Sequence, residues 1–245
     1  MSAAEALRLL ARDAAATFDL TADGRILGEN DPDRSPGPRL FLAGCPGGNL
    51  VHLRHEVAAA ARIQALVAAE PPWADPELRP ACLPELTALL SREAPVEVMG
   101  SAVIHTLPRG LVFTTSASIV RSETEQGDRL LARLARDGMP PALTEAGFIG
   151  GGDFWAPWCV ALEEGQIGAM AFAARTGRRG AAIGVYTFPA FRGRGLAAAV
   201  TADWANLPGL AGRALFYSAL FANTSSLRVI ERLGLPRVGT SLRIA

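Results

Sequence analysis

The chain has 245 residues, 49% of them hydrophobic, and its 24 basic and 24 acidic side chains give a formal net charge of zero. All of the basic residues are arginines, and a neutral chain without a basic stripe is not typical of a nucleic-acid-binding protein. No apolar run approaches the ~18 residues that suggest a membrane span. We therefore expect neither a nucleic acid nor a membrane as a partner.

Three cysteines, Cys45, Cys82 and Cys159, lie far apart in the sequence. An odd number of separated thiols is typical of the reducing cytoplasm, and their spacing matches no metal-binding motif. The N-terminal segment mixes acidic and apolar residues, which predicts an amphipathic helix and not a signal peptide. We expect a cytoplasmic protein without a metal site.

Residues 1 to 105 are predicted to form a small α+β module. Its expected elements are helices at 3–17, 56–69 and 83–92, strands at 41–43 and 50–53 joined by a glycine-rich hairpin, and a strand at 96–104. Cys45 lies in the hairpin turn, but no local pattern places a base beside it, so we interpret the segment as a plain hairpin. The module carries no chemical motif, and we expect it to shape an acceptor pocket or to form a homodimer.

Residues 106 to 245 are predicted to form a second domain. The expected order is a strand at 112–120, helices at 125–137 and 141–146, strands at 158–163, 167–175 and 181–187, a helix at 196–207, a strand at 215–221 and a helix after 223. This order predicts a mixed, mainly antiparallel sheet with helices on both sides. The whole chain is therefore expected to have an α+β fold.

A glycine- and arginine-rich loop joins the strand 181–187 to the helix 196–207, with the sequence Arg192-Gly193-Arg194-Gly195-Leu196-Ala197. Glycine lacks a Cβ atom, so an anion can approach the unpaired N–H groups of the first helical turn. The helix dipole and the two guanidinium groups attract the same anion. We predict that a pyrophosphate or a similar group binds here, mainly to the backbone.

The same loop also fits a dinucleotide-binding fingerprint, Gly193-x-Gly195-x-x-Ala198. That fingerprint requires an acidic residue about 20 positions further on, yet neither Asp nor Glu lies between Asp203 and Glu231. It also requires further βα units, for which too little chain remains. The sequence therefore argues against a dinucleotide.

A second motif, Asn223-Thr-Ser-Ser226, follows the strand 215–221 and opens a helix that ends at Gly234-Leu235. Together with Arg192-x-x-Gly195-x-Ala197, this motif resembles the GNAT superfamily of acyl-CoA-dependent N-acyltransferases over residues 110 to 245. The nearer resemblance is to a bacterial subgroup of that family with an additional N-terminal part.

The GNAT resemblance implies that acetyl-CoA is the cosubstrate and that the loop binds its pyrophosphate. It also implies that backbone N–H groups near Val185 and Thr187 polarise the thioester carbonyl and bind the pantetheine arm, and Tyr186 between them is likewise expected to belong to the CoA-binding site. Asn223 and Ser226 are expected to complete the CoA site. The residue types also predict that Asn223 caps the last helix, and the two roles can coexist.

The catalytic side chains are harder to predict than the CoA site. Many family members have a tyrosine seven residues after the asparagine, which protonates the leaving thiolate, but this chain has Ile230 there. A thiol with a pKa of about 8.5 can leave without this help. The polar candidates are Tyr217 and Glu123, and both residue types also suit a structural role. The base is then Glu123, a chain of water molecules or no group at all.

We expect an N-acetyltransferase that transfers the acetyl group of acetyl-CoA to the amine of a small-molecule acceptor, directly and within a ternary complex. A catalytically weak acyl-CoA-binding or regulatory protein is the alternative, because Ile230 replaces the tyrosine and the strand 181–187 has no carboxylate. A third hypothesis is the use of another acyl chain or a hydroxyl acceptor. Nothing in the sequence selects the acceptor, because specificity lies in loops.

Overall fold

The computed structural model describes all 245 residues, Met1–Ala245. Its seven helices are α1 (Ala3–Thr17), α2 (Ala60–Ala69), α3 (Leu83–Ser91), α4 (Glu125–Asp137), α5 (Pro141–Glu145), α6 (Leu196–Trp204) and α7 (Thr224–Arg232). None of them has the length and hydropathy needed to span a membrane.

The structure has eleven strands, and together with the helices they confirm the predicted α+β fold class. They are β1 (Phe18–Leu20), β2 (Ile26–Glu29), β3 (Leu40–Cys45), β4 (Gly48–Leu53), β5 (Ala102–Thr106), β6 (Ser118–Arg121), β7 (Cys159–Glu163), β8 (Gln166–Thr176), β9 (Gly180–Thr187), β10 (Ala214–Leu220) and β11 (Arg237–Ile244). The strand pairs whose register is defined are antiparallel, in keeping with the predicted mixed, mainly antiparallel sheet.

The chain forms two compact units. The first unit contains residues 1–107, 175–182 and 216–245, and the second contains residues 108–174 and 183–215. The first unit thus combines the N-terminal segment with the C-terminal helix and strand. The expected division into domains at residue 105 stays a prediction.

In the first unit the strand order is β4-β3-β11-β5-β10, and β1 pairs with β2 separately. Helix α1 begins at Ser2, whose side chain accepts a hydrogen bond from the Glu5 amide at 3.2 Å, and buries Leu10 and Ala14. A hydroxyl at this position satisfies one of the N–H groups that a helix start leaves unpaired. Leucine, isoleucine and valine side chains from β3, β4, α2, α3 and β11 fill the core together with Trp73.

In the second unit the strand order is β9-β8-β7-β6. Helix α4 is capped by Thr124, whose hydroxyl accepts from the Gly127 amide at 3.1 Å, and it buries Leu130 and Leu134. These leucines are four residues apart and therefore lie on one face. They pack with the aromatic side chains of a core that also contains Val160 and Met170.

Two predicted strands are shorter in the structure than in the sequence interpretation. The strand expected at 112–120 begins only at Ser118, because its partner β7 offers only Cys159–Leu162 before the chain turns. The strand expected at 96–104 is β5, Ala102–Thr106, and Val98 forms only an isolated bridge with Ile244. The C-terminal strand β11 was not predicted from the sequence, and most of its residues are buried.

Candidate functional site

The loop between β9 and α6 has the backbone shape that the sequence predicted. Gly193 and Gly195 have φ angles of 81° and 80°, a left-handed conformation that favours glycine. Gly195 is the N-cap of α6, so no side chain caps the helix, and the first turn contains no acidic residue. The first N–H groups of α6 therefore have neither an intrahelical acceptor nor a capping side chain.

Helix α6 holds this loop in place because almost all of the helix is buried. Seven of its nine residues are buried. The indole of Trp204 donates to the carbonyl of Pro157 at 2.8 Å, and the Cys159 thiol donates to the carbonyl of Val200 at 3.2 Å. At the start of the helix, a Cβ atom on Gly168 of β8 would lie 2.7 Å from Leu196 Cδ1. The start of α6 thus packs onto β8 where a larger residue would not fit.

Arg194 is held by contacts within the second unit. Its Nη1 atom donates to Glu163 Oε2 at 2.6 Å, and its guanidinium carbon lies 5.3 Å from the centre of the Phe191 ring. Both contacts stabilise the Arg194 cation. The positive charge that was expected to attract an anion is therefore already paired within the protein. Sequence reasoning missed Glu163, because a contact across 31 positions leaves no local signal.

Arg192 has a weaker attachment than Arg194. Its only hydrogen bond within the protein is from Nε to the carbonyl of Thr187, at 3.5 Å, which is long for a hydrogen bond. The side chain is exposed and forms no ion pair. Arg192 is therefore the loop cation that can turn toward a ligand without breaking a strong contact.

The backbone of β9 directs the N–H groups of Val185 and Thr187 to one edge. The amide of Phe188 donates to the carbonyl of Gly168 in β8 at 3.0 Å. Successive N–H groups of a strand point to opposite edges, so those of Val185 and Thr187 point away from β8. The expected positions of the carbonyl-polarising groups are therefore consistent with the direction of the strand.

The side chain of Tyr186 belongs to an aromatic cluster. Its ring lies 4.9 Å from that of Phe188 and 6.2 Å from that of Phe148, both in edge-to-face contact. Phe148 in turn contacts Phe154 and Phe172 in the same way. Tyr186 thus acts as a packing residue through its ring.

The first unit brings three predicted site residues together: Tyr217 of β10, and Asn223 and Ser226 at the start of α7. Asn223 Oδ1 accepts a hydrogen bond from the Ser226 amide at 3.1 Å, which confirms the predicted N-cap. The Tyr217 hydroxyl is hydrogen-bonded to Ser226, and burial raises the pKa of this tyrosine above its ordinary value. Ile230 is 6% exposed and occupies a packing position.

Glu123 lies in the turn between β6 and α4, with an unusual φ angle of 59°. A Cβ atom on Gly209 would lie 3.0 Å from Glu123 Oε1, so the carboxylate is beside the segment that follows the C-terminal end of α6. The Gly/Arg loop precedes the N-terminal end of this nine-residue helix, which is about 13 Å long at 1.5 Å per residue. The structure does not bring Glu123 to the loop, and its role as a base stays a prediction. No group of three or more His, Cys, Asp or Glu side chains could hold a metal ion.

Comparisons with known proteins find similarity only among solved structures. No family model matches the chain, and no curated protein matches it. The solved structures include a GCN5-related N-acetyltransferase-like protein from Streptococcus suis, which is 17% identical with a TM-score of 0.42 over 100% of both chains.

Two further GNAT structures have comparable scores. A GCN5-related N-acetyltransferase from Sphaerobacter thermophilus is 13% identical, with a TM-score of 0.45 over 87% of this chain and 78% of that chain. A GCN5-related N-acetyltransferase from Kribbella flavida is 16% identical, with a TM-score of 0.43 over 66% of this chain and 63% of that chain. The match thus spans less than two thirds of the Kribbella protein.

Proposed function

We propose that this protein is an acyl-CoA-dependent N-acyltransferase that transfers an acetyl group from acetyl-CoA to the amine of a small-molecule acceptor. The observation that carries the proposal is the start of α6, where two left-handed glycines replace a side-chain cap and leave backbone N–H groups for a ligand. Such a helix start favours a phosphate group because its N–H groups and its dipole both attract negative charge. Arg192 is the nearby cation that no acidic side chain occupies.

The chemistry follows direct transfer in a ternary complex. The uncharged amine attacks the thioester carbonyl, the new C–N bond forms, and the C–S bond breaks with its electron pair going to sulfur. The N–H groups of Val185 and Thr187 are proposed to stabilise the negative charge on the carbonyl oxygen, since fixed backbone donors act strongly on such a charge. The proton that the amine loses passes to water or to a base, for which Glu123 remains the proposed side chain.

A catalytically weak acyl-CoA-binding or regulatory protein is the second candidate. The observation that favours it is Ile230, which is buried and has no proton to offer where many GNAT enzymes have a tyrosine. Both candidates predict CoA binding. They differ in turnover.

The first experiment is the thermal unfolding midpoint with and without acetyl-CoA, with NADPH alongside. A ligand that binds only the folded state raises the midpoint according to its affinity. We expect a rise with acetyl-CoA that disappears in Gly195→Glu, because the new carboxylate repels the phosphates and glutamate disfavours the left-handed backbone. No rise in the wild-type protein, or a rise with NADPH alone, would contradict the proposal.

Gly212→Glu is the matched control for this experiment. Gly212 is exposed, has a φ angle of 76° and would place a Cβ atom in open space. The substitution therefore introduces the same backbone strain and the same charge outside the loop. We expect Gly212→Glu to lower the midpoint and still to show the rise with acetyl-CoA.

Release of CoA with a panel of small amines then separates the two candidates. Steady-state turnover with any amine supports the transferase and excludes a purely regulatory role. Binding without turnover across the panel would favour the second candidate. Acyl-CoA donors of increasing chain length, tested with the same panel, show whether acetyl is the preferred group.

A further inference from the structure

Three partly exposed aromatic side chains, those of Trp155, Phe172 and Tyr186, form a connected group in the second unit. The centre of the Trp155 ring lies 5.9 Å from that of the Phe172 ring, in edge-to-face contact. Phe148 is buried and links Phe172 to Tyr186, with its ring centre 5.9 Å from the first and 6.2 Å from the second. We call the three partly exposed rings, Trp155, Phe172 and Tyr186, the aromatic surface.

Gly184 allows the Phe172 ring to lie on strand β9 beside Tyr186. Gly184 and Tyr186 are two residues apart on β9, so they face the same side of the sheet. A Cβ atom on Gly184 would lie 2.5 Å from Phe172 Cε2 and Cζ, which is far shorter than a normal contact between carbon atoms. The Phe172 ring therefore covers the Gly184 backbone, in the space where another residue would place its side chain.

The polar ends of two of these rings have no partner within the protein. Neither the Tyr186 hydroxyl nor the Trp155 indole N–H forms a hydrogen bond, and neither is enclosed by the protein. By contrast, the indoles of Trp73 and Trp204 donate to backbone carbonyls at 3.1 Å and 2.8 Å. The aromatic surface thus combines an apolar body with two polar groups that a ligand can reach.

The aromatic surface adjoins the position where the proposed reaction takes place. Tyr186 lies between Val185 and Thr187, whose N–H groups are proposed to stabilise the carbonyl oxygen of the thioester. Consecutive Cα atoms are about 3.8 Å apart, so the Tyr186 side chain is attached next to both donors. It leaves the strand toward one face of the sheet, whereas the N–H groups point along the sheet. A molecule that packs on the aromatic surface therefore lies beside the carbonyl that the amine attacks.

We infer that the acceptor is a primary amine joined by a short chain to an aromatic ring, and that Trp155, Phe172 and Tyr186 determine this specificity. The inference rests on the proposed function. Contacts between aromatic rings stabilise a complex by more than the burial of apolar area alone, and ring faces also attract an ammonium group. The ring of the acceptor packs on the aromatic surface, and its amine, once uncharged, attacks the thioester carbonyl. The bonds that form and break are those of the proposed transfer.

The test compares two amines that differ in the aromaticity of their ring, 2-phenylethylamine and 2-cyclohexylethylamine. Each is titrated calorimetrically into the protein saturated with CoA, which carries no acyl group and so permits binding without turnover. We expect the phenyl compound to bind about threefold or more tightly than the cyclohexyl compound, because only its ring forms aromatic contacts. Equal affinities, or tighter binding of the cyclohexyl compound or of the linear polyamine spermidine, would overturn the inference.

Variants connect the preference to the aromatic surface. Phe172→Leu keeps an apolar side chain but removes the ring, and we expect the two amines then to bind within about twofold of each other. Gly184→Ala keeps every ring but displaces that of Phe172, so the same loss is expected. Phe221→Leu is the matched control, at a partly exposed phenylalanine of the first unit, and should keep the wild-type ratio of affinities.

A preference for the phenyl compound that survives in Phe172→Leu and in Gly184→Ala would also overturn the inference. If Phe172→Leu does not fold, Gly184→Ala decides alone, because it adds a single methyl group.

The two proposals fail in different ways. If acetyl-CoA does not raise the unfolding midpoint of the wild-type protein, the proposed function fails and the inference fails with it. If acetyl-CoA binds and amines are turned over without a preference that depends on Phe172 and Gly184, only the inference fails. In turnover, we expect the aromatic preference in KM for the amine, with similar kcat for the two compounds, because the ring contacts are equally strong before and during the reaction.

Discussion

The Arg194 guanidinium donates a hydrogen bond to the Glu163 carboxylate at 2.6 Å, and this ion pair joins the Gly/Arg loop to the end of β7. The pair gives the two loop arginines different tasks. Arg194 stabilises the position of the loop, whereas Arg192 is available to a ligand. The sequence does not show this difference, because both arginines lie in the same glycine-rich loop.

Arginine substitutions test this division. We expect Arg192→Ala to weaken acetyl-CoA binding by about tenfold or more, since a hydrogen bond to a charged group contributes about 1.5–3 kcal/mol. Arg194→Ala is expected to have a smaller effect, close to that of Glu163→Gln, because both variants break the same ion pair. Isothermal titration calorimetry with acetyl-CoA measures all three. A larger loss for Arg194→Ala than for Arg192→Ala would reverse the assignment.

Gly168 provides a second test, because the start of α6 packs against it. A Cβ atom at this position would lie 2.7 Å from Leu196 Cδ1 and 3.1 Å from the Phe191 ring. We expect Gly168→Val to lower the free energy of unfolding by about 1–3 kcal/mol through overpacking, and also to weaken acetyl-CoA binding. Chemical denaturation and calorimetry measure the two effects. Gly152→Val, where nothing lies within 4 Å, is the control and should leave binding unchanged.

Removal of the α7 cap should lower stability by a known mechanism. Asn223→Ala leaves the Ser226 amide without its acceptor, and we expect a loss of about 0.5–2 kcal/mol in the free energy of unfolding. Asn223→Asp keeps a side-chain oxygen at the helix start and should retain most of the stability. If the two variants were equally destabilised in urea, the cap would not be what stabilises this end of α7.

The buried carboxyl group of Asp13 predicts a pH dependence of stability. Asp13 lies on α1, its Oδ1 atom has no hydrogen-bond partner, and burial raises its pKa from 3.8 to about 7, with partial opposition from Arg243. Between these two values the folded state holds a proton that the unfolded state has released. Asp13 therefore makes the protein less stable as the pH rises from about 4 to 7, with no further loss above this window.

Asp13→Asn removes this titration and is expected to reduce the fall in stability across that window. The measurement is the free energy of unfolding at several pH values. Asp33→Asn, at an exposed position in the same unit, is the control and should follow the wild-type curve. A wild-type protein whose stability rises over the same pH range as steeply as that of Asp13→Asn would contradict the prediction.

The sequence predicted the parts of the structure that depend on local signals. Helix α4 matches residue for residue the expected 125–137, because a threonine cap and leucines at helical spacing define it. The glycine conformations of the loop and the Asn223 cap were also predicted, since each follows from the residue type at its position. The strand β11 was not predicted, and the structure buries a continuous run of its residues, Val238–Leu242.

The other features depend on contacts between distant residues. The late start of β6 is set by the length of the distant strand β7, whose Leu162 pairs with Ser118, and not by the β-forming sequence of β6 itself. The ion pair of Glu163 with Arg194 likewise forms only once the chain has folded. The same holds for the packing of Gly168 against the start of α6 and for the position of Glu123 beside Gly209. Spacing along the chain could therefore suggest an anion site but not which of its arginines is free.

Helix α6 leaves little room for variation, because seven of its nine residues are buried. Substitutions in the helix would mostly disturb buried packing, whereas positions 190 and 192 are exposed and can change side chain without altering the core. A library confined to these two positions would sample ligand preference at nearly constant stability. New ligand preferences in proteins of this architecture can therefore arise from a few loop codons, with the helix behind them unchanged.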